Sequence, residues 1–309
     1  MHICRRLEEL ASLQGPLHLA LGVFDGVHLG HQAVMARALE AARQQGGMAG
    51  LLTFDPHPIE VMAPAKAPSC LLATLTHKEH IIEDLGLELF APLTFDASMA
   101  AMEAERFVER LMQANVRTLA VGEDWRFGHQ RRGDVALLAG LAPQYGYCLE
   151  AVAPVMFDGE RISSSRIRQA IRDGNLSAAA AMLGRPYSLR GEVVAGRRLG
   201  RDLGFPTANI EVGRRQLPPS GVWAGRVSIL GEEIWRPAVA NLGTRPTVDG
   251  SGVLLEVHLL DYAGDLYGRE LELRFVRQLR EERSFPDLSA LREQIARDVE
   301  NARRALAGD

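Results

Sequence analysis

Residues 17–31 constrain this 309-residue chain more than any other stretch. The apolar run Leu17–Phe24 leads into the turn L-G-V-F-D-G-V-H-L-G-H, Leu21–His31. His31–Gln45 follows, with Val34, Ala38, Leu39 and Ala42 on one helical face. The order is buried strand, glycine-studded turn, amphipathic helix. Glycines 22, 26 and 30 let a ligand approach the backbone closely. The free N–H groups and positive dipole end of the helix favour a phosphate there. His28 and His31, spaced H-x-G-H, can donate hydrogen bonds to charge that builds up in phosphoryl or nucleotidyl transfer. Gly22, Phe24, Asp25 and Gly26 are the accompanying candidates for nucleotide contact. Paired histidines also occur as zinc ligands or as ordinary surface residues. Here no Cys or carboxylate cluster completes a zinc set, and Cys4, Cys70 and Cys148 are scattered.

Beyond this turn, residues 1–175 alternate strand-like and helix-like patterns. Strands are expected at Gly50–Phe54, Leu87–Phe95, Arg117–Val121 and Tyr147–Val152. Helices are expected from a Thr76 cap to about Leu85, over Met99–Met112, over Asp134–Leu141, and from Ser164 to Arg172. Repeated βα order predicts a mostly parallel sheet with helices on both faces, and such sheets bind ligands beyond the strand C-termini. The pattern changes near Leu183-Gly184-Arg185-Pro186. Six short strand-like runs follow: Leu189–Val194, Ala208–Val212, Gly221–Ile229, Pro237–Leu242, Leu254–Leu260 and Leu271–Val276. Gly and Pro split them, which predicts a small closed barrel. One amphipathic helix, about Leu288–Leu306, ends the chain. The fold class is therefore α/β for residues 1–184 and a β-barrel with a terminal helix for 185–309.

Composition narrows the function classes. An apolar share of 47% suffices for two cores, and a formal net charge of −4 gives no reason to expect a nucleic-acid partner. The cations are 33 Arg against two Lys, Lys66 and Lys78. Arg suits bidentate phosphate recognition, although compositional bias explains the excess equally well. Three Cys without a disulfide pattern, and an N-terminus without an apolar leader segment, predict a reducing cytoplasm. No run of about 18 apolar residues predicts a membrane span.

Three further motifs lie in the first half. T-F-D-P-H-P closes the strand at Phe54. V-G-E-D-W-R-F-G-H-Q-R-R-G-D, Val121–Asp134, offers Trp125 and Phe127 for stacking on a planar ring, beside Asp124. I-S-S-S-R-I-R, Ile162–Arg168, opens a helix with hydroxyls, and Ser164, Arg166 and Arg168 are candidate phosphate ligands. A Ser-capped helix with solvated arginines is the plain alternative.

In the second half, Gly191–Asn209 reads G-E-V-V-A-G-R-R-L-G-R-D-L-G-F-P-T-A-N. Gly196, Gly200, Gly204 and Pro206 belong to a loop able to fold over a nucleotide, and Thr207 and Asn209 offer the hard oxygens that Mg²⁺ prefers. No Walker A pattern is present. Asn241–Thr247 forms a second loop. On the strand that follows, Leu255, Val257 and Leu259 share one face, and Glu256 and His258 the other. A carboxylate on the inner face of a small barrel is costly unless used, which makes Glu256 a candidate general base for a primary hydroxyl.

In order, G-x-F-D-G-x-H-x-G-H, T-F-D-P-H-P, V-G-E-D-W-R-F-G and I-S-S-S-R-I-R resemble the adenylyltransferase module of the bacterial bifunctional riboflavin kinase/FAD synthetase family. Residues 185–309 resemble that family's kinase barrel, with P-T-A-N at 206–209 as its metal and ATP motif. The resemblance implies a Rossmann-like nucleotidyltransferase domain beside a kinase barrel. It implies Glu256 as catalytic base and places Arg280 in a loop over the flavin. Asp124 stands where some members carry Asn. The implied substrates are riboflavin, FMN and ATP with Mg²⁺, and passage of flavin to apo-flavoproteins is a further implication. An adenylyltransferase whose barrel only binds flavin, as a regulatory module, is the alternative reading.

Overall fold

The computed structural model describes residues 1–196, 199–245 and 252–307. Residues 197 and 198, together with Pro246 and Thr247 of the second predicted loop, lie outside the described residues. Contacts divide the chain into two compact units, 1–166 and 167–309.

The first unit is built on six parallel strands: β1 (His2–Ile3), β2 (Leu17–Leu21), β3 (Met48–Asp55), β4 (Leu89–Thr94), β5 (Val116–Gly122) and β6 (Cys148–Val152). Their order across the sheet is β1-β4-β3-β2-β5-β6. Side chains alternate between two cores. Leu19, Leu52 and Leu89 pack on one face with Phe107, Val108 and Leu138. Ala20, Leu51 and Phe90 pack on the other with Val34, Met35 and Ile82. Helices therefore cover both faces, as the βα alternation requires. A leucine such as Leu19, with no exposed surface, contributes on the order of 1.5–3 kcal/mol by its burial.

Three local expectations change. The first long helix is Leu29–Gln45, so it begins two residues before His31 and is capped by His28. The helix Leu75–Asp84 is capped by Thr74, whose hydroxyl accepts the His77 N–H at 3.2 Å; Thr76 lies inside it. The segment expected as one helix over 99–112 is two, Ala97–Ala100 and Ala104–Leu111. The Asp96 carboxylate caps the first by accepting the Met99 N–H at 2.8 Å. A short hairpin, β7 (Met156–Phe157) and β8 (Glu160–Arg161), precedes the helix Ser164–Arg172.

The second unit is a closed antiparallel barrel of β9 (Ser188–Val194), β10 (Ala208–Ile210), β11 (Gly221–Ile229), β12 (Trp235–Arg245), β13 (Gly252–Leu259) and β14 (Glu270–Arg280). The order is β10-β13-β12-β11-β14-β9, closed by pairing of β9 with β10. Leu189, Val227, Leu255, Val257, Leu271 and Leu273 are almost wholly buried. The helix Leu288–Leu306 packs Ala302 and Leu306 on Val222, Ala224 and Val239 of the outer wall. Asp287 caps it by accepting the Ala290 N–H at 2.8 Å.

Candidate active sites

The turn after β2 carries the first constellation. His28 Nδ1 accepts the His31 backbone N–H at 3.3 Å, which points its ring along the helix start. The two imidazoles stack, with centroids 3.5 Å apart and planes 19° from parallel. Phe24 meets His31 edge-on at 5.2 Å. The turn tolerates no bulk at Gly26: its φ is +79°, and a Cβ there would come within 2.6 Å of Leu72. A Cβ at Gly22 would lie 2.9 Å from the Phe24 ring. Phe24 is buried in the core around Val34 and Ile82. Asp25 is buried too, and its Oδ1 accepts the Leu72 N–H at 3.1 Å.

Ser164 Oγ donates to the Asp25 carbonyl at 3.0 Å, so the last motif of this unit closes on the first. Arg166 braces the β7–β8 hairpin. Its Nη1 donates to the Phe157 carbonyl at 2.7 Å and the Glu160 carbonyl at 3.0 Å, and its guanidinium lies over the Phe157 ring. Arg168, half-buried, follows on the same helix. Trp125 stacks on Phe127 with centroids 4.5 Å apart and planes 9° from parallel. Phe127 is buried against Phe107, while Trp125 is only partly covered. Asp124 accepts from both Nη groups of Arg161, one at 3.0 Å, and these bonds hold its carboxyl below the usual range. Arg161 was not singled out from the sequence; its place directly before the I-S-S-S-R motif was the available signal.

The second constellation lies on the barrel wall. Register places Glu256 of β13 directly opposite Asn209 of β10 and Asn241 of β12. Cross-strand partners share a face, and Leu255 and Val257 fill the lumen. Glu256 therefore sits on the outer face, which corrects the inner-face placement read from the sequence. Gly196 and the segment Phe205–Thr207 lie against this face. A Cβ at Gly196 would collide with the Asn209 amide, and one at Gly200 would come within 2.5 Å of the Phe205 carbonyl and 3.1 Å of Thr207 Oγ1. The Pro206 carbonyl lies 2.7 Å from His258 Nδ1, and the Phe205 ring meets His258 edge-on. Gly204, at φ +88°, turns the chain between them.

Asn209 is 8% exposed, and its Oδ1 is buried with no hydrogen-bond partner among the described residues. A buried orphan amide oxygen costs free energy unless a cation or donor meets it. Among the described residues no group of three or more His, Cys, Asp or Glu could hold a metal. The neutral oxygens of Thr207 and Asn209 fit a hard divalent cation that takes the rest of its ligands from water and nucleotide phosphate. A Gly196→Ala variant is expected to raise the KM for ATP in phosphoryl transfer by about 10-fold or more, since its methyl displaces Asn209. Steady-state kinetics on the purified variant check this, with the nucleotidyl-transfer activity as internal control.

Arg280 ends β14 rather than lying in a loop. Its Nε and Nη2 donate to the Asp298 carboxylate at 2.8–3.2 Å, and its Nη1 donates to the Glu281 carbonyl at 3.0 Å. Asp298, only 2% exposed, also accepts from Gln294 at 2.7 Å. Asp298 carried no signal beyond being an acidic residue on an otherwise apolar helical face.

Two family models match the two units. The FAD synthetase model covers residues 11–166, and the riboflavin kinase model covers residues 183–306. The chain belongs to the bifunctional riboflavin kinase/FMN adenylyltransferase family. The protein of that name from Escherichia coli K12 is 42% identical over 287 residues, covering 92% of this chain and 91% of the relative. That of Pseudomonas fluorescens is 40% identical, covering 99% and 98%. A crystal structure from Streptococcus pneumoniae, described as a macrolide-efflux protein, superposes with a TM-score of 0.83 at 29% identity, covering 97% of this chain and 98% of that one. Among the described residues here, no helix is long and apolar enough to cross a membrane.

Proposed function

We propose that this chain builds FAD from riboflavin in two ATP-dependent steps, one in each unit. In the barrel, Glu256 accepts the proton of the ribityl 5′-hydroxyl as that oxygen attacks the γ-phosphorus of ATP. The new O–P bond forms, the bond to the β-phosphate oxygen breaks, and FMN and ADP leave. Thr207 and Asn209 hold Mg²⁺, which when bound neutralises phosphate charge. Gly196, Gly200, Gly204 and Pro206 lay a closely approaching backbone over the nucleotide. Arg280, fixed by Asp298, borders the flavin.

In the first unit, an FMN phosphate oxygen attacks the α-phosphorus of ATP, giving FAD and pyrophosphate. FMN is its own nucleophile, so the protein supplies position and charge. His28 and His31 donate to the negative charge that grows on the transferring group. Ser164, Arg166 and the turn Gly22, Phe24, Asp25, Gly26 carry the phosphates. Asp124, Trp125 and Phe127 border the flavin. We place the protein in the cytoplasm, handing FMN and FAD to apo-flavoproteins.

The observation that carries this reading is the pairing of Glu256 with Asn209 on one barrel face, beneath a glycine loop. A flavin-binding regulatory barrel would need neither group. Incubation with riboflavin, ATP and Mg²⁺, resolved by chromatography, tests it. FMN plus FAD is expected. FAD from added FMN alone would assign the barrel to flavin binding, and absence of FAD under both conditions would remove the adenylyltransferase.

We place the functional boundary near Gly184, whose left-handed φ of 73° ends the helix Leu176–Leu183. The piece 185–309 is expected to fold and phosphorylate riboflavin. A piece starting at 167 is expected to melt higher, since it keeps the approach of Gly174 to Pro219. Circular-dichroism melts and kinase assays on both pieces check this; an unfolded 185–309 moves the boundary to 166.

A further inference from the structure

The chain carries 33 Arg and only two Lys, so a buried lysine marks a position where a guanidinium does not serve. Lys78 is that residue. It sits in the first turns of the helix Leu75–Asp84 and is 8% exposed. Its Nζ donates to the Val23 carbonyl at 3.2 Å, and Thr53 Oγ1 donates to the same oxygen at 2.8 Å. Val23 precedes the turn that bears His28 and His31. Phe24 and Val27 in that turn hold φ of 52° and 45°, a region costly for side chains with a Cβ and most of all for a β-branched one. The surroundings must enforce this shape, and the donors on Val23 do so where the turn leaves β2. The carboxylates of Asp25, from the turn, and Asp55, from T-F-D-P-H-P, act on the ammonium from two motifs at once; burial still draws it below the usual lysine range. A compact ammonium reaches this one carbonyl as a point donor, in a buried space where a planar guanidinium fork brings more donors than there are acceptors to meet them.

We infer that Lys78 is a positioning residue for nucleotidyl transfer, locking the Val23–Val27 turn so that His28 and His31 meet the reacting phosphate in register. The inference rests on the adenylyltransferase reading of the first unit. A displacement of about 1 Å at such a site costs up to about 100-fold in rate, so Lys78→Met is expected to lower kcat for FAD formation about 10- to 100-fold, with the KM for ATP moving less than about 3-fold. Riboflavin phosphorylation by the same sample is expected to stay unchanged. Amide exchange in residues 22–31 is expected to quicken about 10-fold while the rest of the unit keeps its protection. Lys78→Arg keeps the charge, and with it the fold, and is expected to lose kcat as well. Three results would overturn the inference: full activity in Lys78→Met, full rescue by Lys78→Arg, or a loss shared equally by ATP binding, melting temperature and exchange across the whole unit. The parent protein separates the two claims. If it forms no FAD, the adenylyltransferase reading fails; if it forms FAD and the variants match it, only the role of Lys78 fails.

Discussion

Glu256→Gln is expected to end FMN formation while FMN is still converted to FAD. The substitution keeps shape and hydrogen-bonding reach and removes the one property a base needs, an acceptor for the proton of a primary hydroxyl. Loss of a positioned base costs about 10²–10⁴-fold in rate. The barrel should tolerate the change, because Glu256 stands on the outer wall, only partly covered, and Leu255 and Val257 on either side carry the packing. A coupled assay on one sample, riboflavin to FMN and then added FMN to FAD, checks both halves. Near-normal phosphorylation by the folded variant would take Glu256 out of the mechanism.

His31→Ala is expected to give the mirror image: FMN accumulates and FAD does not form. Removing one donor aimed at developing charge costs about 10²–10³-fold in kcat. The His31 backbone N–H that bonds His28 survives the substitution, so the helix cap stays in place. What disappears is the imidazole stacked at 3.5 Å on His28. If that ring acts on the transition state, turnover falls far more than affinity for ATP. A packing role predicts a lower melting temperature with equal losses in binding. Melting temperature, ATP affinity and FAD-forming rate on one preparation decide between them.

The two architectures were legible because each has its own period. Alternation of Leu19 with Ala20 and of Leu51 with Leu52 between two cores is what continuous apolar runs in a parallel sheet mean. The sequence also grouped Leu255, Val257 and Leu259 against Glu256 and His258. Glu256 was assigned to the inner face, and wrongly, because alternation defines two faces without naming which one is the lumen. Thr76 was read as the helix cap; backbone geometry moves the cap two residues back, to Thr74. Arg166 was read as a candidate phosphate ligand and Arg280 as part of a loop over the flavin. Their partners, the Phe157 and Glu160 carbonyls and Asp298, lie in segments with no motif of their own, so tertiary packing alone reveals them. Lys78 was counted but given no role, for the same reason.

The barrel holds Glu256 and Asn209 on its outer face and an apolar core in its lumen. Its lumen is filled by a plug that includes Leu189, Val227, Leu255, Val257, Leu271 and Leu273. On β13 the proposed catalytic base and the core side chains thus occupy opposite sides of one strand, one residue apart. Changes in the overlying loop can alter which nucleotide or alcohol is accepted without touching the plug, and repacking the plug can raise thermal tolerance without moving Glu256 or Asn209. For an engineer the two properties are separate controls, addressed by odd and even positions along β13.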